Sequence, residues 1–203
     1  MIKNHFKRTC SFFSLFALIS CASVPTDINI SPDLNLKADT YAFSNENEWK
    51  INSQDLRIAR HLVQIVDGDK AAKLINERES MRLLIDRNLS QAWLYNKLKV
   101  ADQSKYKINI KLVRALATVT EAAISHEVKS EFIIQIQLIN QANEYTKLFS
   151  SNNQWEASFT ADIPDITKKL SLQLSELLNQ IIQDRELNDN LQKFNSLISK
   201  EVL

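Results

Sequence analysis

The chain has 203 residues, 44% hydrophobic and 24% charged, the balance of one globular domain with a real core. Its net charge of +1 is unevenly spread: Lys3, Lys7 and Arg8 sit before residue 21 with no acid, so the remainder holds 22 basic (25 less 3) against 24 acidic residues, about −2. A weakly acidic body argues against nucleic acid, which demands a basic patch, and a single glycine, Gly68, excludes glycine-rich phosphate loops and the Gly-x-Ser-x-Gly nucleophile elbow.

The first segment is a leader. Lys3, His5, Lys7 and Arg8 form a positive start, and residues 11–19 form a run that is apolar but for Ser11 and Ser14. That run is within the ~7–15 residues of a secretory signal and short of the ~20 that span a bilayer. It closes on Leu18-Ile19-Ser20-Cys21: Leu at −3, a small residue at −1, Cys at +1. This order predicts a bacterial lipoprotein signal over 1–20, cut before Cys21, with diacylglycerol and an N-acyl chain added to Cys21. Two or more acyl chains give stable anchoring where one is marginal. Ala22 occupies the position where inner-membrane lipoproteins typically carry Asp, which points to the outer membrane, facing the periplasm. With Cys10 lost and Cys21 acylated, no thiol remains for a disulfide or thiolate metal site. Residues 21–40, polar with Pro25 and Pro32, are expected to be a flexible tether, and 41–203 a single domain.

Within the domain, Trp49 and Ile51 alternate with Glu48 and Lys50, and His61 to Val66 forms a second strand. Asp67-Gly68-Asp69 is a turn, with Ala71 to Ile75 pairing back as a hairpin. From Arg78 to about Leu98 the period becomes helical, placing Met81, Leu84, Ile85, Leu89, Ala92 and Trp93 on one stripe, with Asn76 or Ser80 to cap the start. Tyr106, Ile108, Ile110 and Leu112 alternate; Ala115, Ala117 and Val119 continue on the other parity, which predicts a bulge near Val113. Val128, Phe132, Ile134, Ile136 and Leu138 mark a strand with one wet face. Tyr145 to Phe159 is a return strand, expected to break at a Ser151-Asn152-Asn153 loop. Asp162-Ile163-Pro164 starts a helix carrying Ile166, Leu170, Leu174, Leu177, Leu178 and Ile181, and Leu187 to Ile198 continues as a short one. The fold class is α+β: a two-layer domain, a largely antiparallel sheet with two main amphipathic helices on one face and a short C-terminal helix.

Candidate site residues are few. Asp55 and Arg57, at a strand end, could take a charged group or could simply cap and pair within a turn. Trp93 and Trp155 could line a pocket or anchor a partner, or belong to the core. His61 and His126 stand without a cysteine or paired acid in sequence, so no metal site and no catalytic residue is expected. The acids and arginines between Glu77 and Arg87 are expected to form a solvated helix face.

With these residues in place, the chain resembles the YajG family of proteobacterial outer-membrane lipoproteins. The likeness runs through the Cys21 signal, Ile28-Asn29-Ile30-Ser31-Pro32, Asp55-Leu56-Arg57, the helix from Arg82 to Val100, the strand Tyr106 to Val119 and the helix from Ile163. It departs at the helix exit, where the family has glycine and this chain has Asn96-Lys97-Leu98. The resemblance implies an envelope lipoprotein and adds no chemistry. The expected function is a non-enzymatic interaction module. It needs no cofactor beyond the lipid on Cys21, partners the membrane and another envelope protein, and binds no nucleic acid. A carrier of a small apolar or glycan ligand in a helix–sheet pocket is the first alternative, an envelope hydrolase the second.

Overall fold

The computed structural model describes residues 25–34, 42–43, 47–141 and 143–196. Cys21, the leader and residues 35–41 lie outside the described residues. Among the described residues, seven strands and three helices follow in chain order: β1 (Asp27–Ile28), β2 (Trp49–Asp55), β3 (His61–Asp67), β4 (Lys73–Glu77), α1 (Met81–Tyr95), β5 (Tyr106–Glu121), β6 (Ser125–Ile139), β7 (Glu144–Ser158), α2 (Ile163–Gln183) and α3 (Arg185–Ser196). They build one open sheet in the order β1-β4-β3-β5-β6-β7, with β2 also beside β5.

The sheet is largely antiparallel because its longest ladders, β5–β6 and β6–β7, are antiparallel meanders, and β3–β4 is a hairpin. Three shorter ladders are parallel: β1 on β4, and β2 and β3 on β5. The two strands β2 and β3 lie end to end along β5, against its first and second halves. The bulge expected near Val113 falls between Leu112 and Arg114. It switches the buried parity of β5 from Tyr106, Ile108, Ile110 and Leu112 to Ala115, Ala117 and Val119.

One face of the sheet is the core. Met81, Leu84, Ile85, Leu89, Ala92 and Trp93 of α1, and Ile166, Leu170, Leu174, Leu177, Leu178 and Ile181 of α2, are buried against the inward residues of β5 and β6. Each such aliphatic or aromatic side chain stabilises the fold by roughly 1.5–3 kcal/mol when fully buried. α3 adds Leu187, Leu191 and Phe194, and Trp49 packs between Tyr106 (5.5 Å) and Phe194 (6.3 Å). The other face is wet and cross-linked. Asn52 donates to Asn109, Asn109 to Gln137 and Gln137 to Glu144, one amide chain over four strands.

Helix ends explain their residues. α1 leaves through Lys97 at φ 69, with Leu98 N–H on the Trp93 carbonyl; this is the left-handed exit that usually takes glycine. Ser80 occupies the position before α1 but makes no side-chain cap bond. Between α2 and α3 the break is a cap: the Asp184 carboxylate accepts from Leu187 N–H at 2.8 Å.

Two expectations are corrected. Within the expected tether, Ile28 and Ile30 are buried, and β1 extends the sheet. Ser31 N–H and Asp33 N–H donate to the hydroxyls of Ser171 and Ser175 on α2. Two alternating isoleucines buried this way outweigh the polar composition around them. The return strand, expected to break at Ser151-Asn152-Asn153, is continuous as β7. Its backbone pairs with β6 at every position, and strand hydrogen bonds do not need an apolar side chain.

Candidate functional site

β2 and β3 share one edge of β5, but the chain is longer than the edge. From Asp55 to Val63 it advances eight residues while β5 advances five, from Leu112 to Ala117. The surplus bows out as residues 56–60. Leu56 N–H still reaches the Leu112 carbonyl at 2.8 Å, so the excursion begins beside the β5 bulge. Leu56 and Ile58 are exposed, whereas Arg57 turns inward until only 3% of its side chain is accessible.

Arg57 is held by two carboxylates. Its Nε and Nη2 form a fork on the Asp55 carboxylate (2.9 and 2.8 Å), and Nη2 also donates to Glu77 Oε2 at 2.6 Å. Its backbone N–H donates to Asp55 Oδ1 as well. The hydrogen bond from Arg57 holds the Asp55 carboxyl below its ordinary range, against the opposing effect of burial. Burial pulls the Arg57 guanidinium down, but its bonds to Asp55 and Glu77 outweigh that and raise it. Nη1 is buried with no hydrogen-bond partner among the described residues. Next to the triplet is a cleft of about 240 Å³ walled by Leu56, Ile58, Ala59, His61, Val113 and Leu116.

Sequence reasoning paired Asp55 with Arg57 and missed Glu77. The signal was the hairpin itself: a turn at Gly68 folds the residues before β3 back onto those at the end of β4. Arg57 holds both carboxylates of the triplet in ion pairs. An ion-paired carboxylate with a lowered pKa neither donates a proton near neutrality nor is free to take one. Both carboxylates converge beside the His61 cleft, but on Arg57 rather than on a reacting group.

The tryptophans do not join this site. Trp93, on the inner face of α1, is completely buried. Trp155, on β7, lines a separate shallow cleft of about 270 Å³ with Leu172, Gln173 and Glu176, and Lys169 Nζ stands 5.0 Å over its ring. The indole nitrogens of both are buried without a partner among the described residues. His126, 5% exposed, bonds the Phe159 carbonyl through Nδ1 at 2.9 Å. The charges around α1 bond largely outside their own helix turns: Arg78 to Asp27, Arg87 to Glu79, and Ser53 bridging Arg82 and Asp86. Among the described residues no three His, Cys, Asp or Glu side chains group as metal ligands, and no helix is long and apolar enough to cross a membrane.

A family model described as uncharacterized lipoprotein matches residues 34–192. The chain belongs to this lipoprotein family. The lipoprotein YajG of Escherichia coli K12 is 22% identical over 177 residues, 87% of this chain and 91% of the relative, and the same figures hold for YajG of the O6:H1 strain. A crystal structure of a Xanthomonas campestris protein of the DUF330 family superposes with a TM-score of 0.56 at 10% identity, covering 83% of this lipoprotein and 99% of that chain. That likeness shows the fold alone. The resemblance drawn from the lipid signal and the helices thus stands on most of the chain, and the protein is a membrane-anchored lipoprotein.

Proposed function

We propose that this lipoprotein is held in the outer membrane by lipid on Cys21, faces the periplasm, and works as a non-enzymatic module that pairs with an extended segment of another envelope protein along β7. The observation that carries the reading is the edge. β7 runs fifteen residues, contains no proline and shows no register shift against β6. Among the described residues it pairs with β6 alone. Apart from the Ser151 carbonyl, which accepts from Gln173 of α2 at 3.0 Å, such an edge offers N–H and C=O groups of the kind proteins ordinarily shorten, kink or cover. A partner strand would satisfy them, gaining affinity from the main chain and selectivity from alternate side chains. The outer-membrane reading draws on Ala22 after Cys21. The ligand-carrier alternative loses support from the burial of Trp93 and the shallow Trp155 cleft, and the hydrolase alternative from the locked carboxylates.

Photo-crosslinkers at Asn152 and Gln154, with Gln135 on the open face of the sheet as control, test the module in cells. A discrete adduct to one protein from the β7 positions alone is expected. No adduct, or equal adducts from Gln135, counts against the edge. Cys21→Ala tests the anchor separately, by release of the domain from membranes or retention of its leader.

A further inference from the structure

We propose that one end of the sheet is apposed to the lipid bilayer, with Ile124 and Phe159 reaching its interface. The proposal rests on acylation of Cys21. The ladder Asp67↔Glu121↔His126↔Ala157 gathers the β3–β4 turn, the β5–β6 turn and the β7–α2 loop at one end. Ile124, in the second of these, and Phe159, in the third, are each 78% exposed. The loops are tied together: Phe159 N–H donates to the Ile124 carbonyl at 2.8 Å, and the Phe159 carbonyl accepts from buried His126. Phe159 also has φ 67, a conformation that bulky residues rarely adopt. The fold therefore holds an aromatic side chain outward in water at a conformational cost.

The chain before β1 decides which end meets lipid. Thr26 is pinned, since Asn76 N–H donates to its carbonyl, and it is level with Ala117 of β5 through Ile75 and Val63. Cys21 is five residues earlier, and five residues span at most about 18 Å. The near end of β5, at Glu121, is four residues from Ala117, roughly 13 Å at strand rise. The far end, at Tyr106, is eleven residues away, roughly 36 Å. Acyl chains on Cys21 can thus bring the Ile124–Phe159 end to the bilayer, and cannot bring the far end there, although that end exposes Leu94 and Tyr95. Charge does not drive the contact: Lys70 is paired with Asp67, and Asp69 and Glu121 offset Lys73. The partner is a lipid surface entered by apolar side chains.

The test uses the acylated full-length mature protein reconstituted in phosphatidylethanolamine vesicles, with or without phosphatidylglycerol. Acylation blocks Cys21, so Ile124→Cys and Phe159→Cys each offer one thiol for a polarity-sensitive dye. Tyr95→Cys reports the far end and Leu148→Cys the open face. Expected are a blue shift and several-fold stronger quenching by nitroxide lipid at 124 and 159 than at 95 or 148, in both lipid mixtures. Vesicle-bound protein whose dyes at 124 and 159 stay in water overturns the proposal while leaving the anchor intact, and shielding at 148 instead overturns it in favour of a domain lying on its side. Shielding that needs no vesicles overturns it in favour of contact between copies. Protein that lacks acyl mass and does not bind vesicles overturns the anchor, and the proposal with it.

Discussion

Replacing Arg57 with alanine removes the cation that bridges two carboxylates that are 12% and 9% exposed. Intact, the triplet adds little net stability, because desolvation offsets the attraction of its 2.6–2.9 Å contacts. Broken, it leaves uncompensated buried charge, at a cost of about 3–5 kcal/mol. Total stabilities of domains are only about 5–15 kcal/mol, so the melting temperature should fall by roughly 6–20 °C at about 2–4 °C per kcal/mol. The penalty depends on pH, with a defined sign. In the wild type the folded Asp55 pKa lies below its ordinary 3.8, so its contribution is complete above that value and is lost only as pH falls through the lower folded one. In the variant, burial and mutual repulsion push a carboxyl pKa up, so folding takes up a proton and the penalty shrinks from pH 7 to pH 5. Urea unfolding of the chain from residue 22, carrying Cys21-free ends and followed by fluorescence of buried Trp49 and Trp93, measures both. Arg57→Met with Asp55→Asn and Glu77→Gln should recover most of the loss. A cost below about 1 kcal/mol, typical of a solvated pair, or one identical at both pH values, refutes a buried triplet.

Other perturbations probe other parts. Ile28→Ala, 5% exposed in the segment beside α2, should cost about 2–5 kcal/mol by cavity formation, and unchanged urea unfolding would show that the segment is dispensable. Gln173→Leu strands the Ser130 hydroxyl, 2.6 Å away, and the Ser151 carbonyl, 3.0 Å away, at a cost of about 1–3 kcal/mol; Ser130→Ala added to it should return part of that in thermal melts. Lys97→Gly should stabilise by up to about 1 kcal/mol, because glycine adopts φ 69 without a Cβ penalty; a lowered melting temperature would contradict the strain assigned there.

Much of the fold was legible because period and burial coincide. The parity slip at Val113 is a bulge, and the stripes of Met81 to Trp93 and Ile166 to Ile181 are the buried faces of their helices. Pairing was less legible. Alternation tells which face a strand buries but not its neighbour, so the parallel placement of β2 and β3 on β5 left no trace in spacing. The polar run from Ser150 to Gln154 hid a strand whose ladder to β6 is made by the backbone. At the site, Asp55 and Arg57 are two residues apart and pair locally, while Glu77 arrives through a hairpin whose turn was visible but whose reach was not.

The anchoring of Ser31 and Asp33 to α2 has an order in time. Their acceptors lie 140 and 142 residues further along, so they have nothing there to bond until residue 175 has left the ribosome. Ser31 and Asp33 therefore stay unfastened until most of the chain has been made, and completing α2 is the event that ties this early segment to the body.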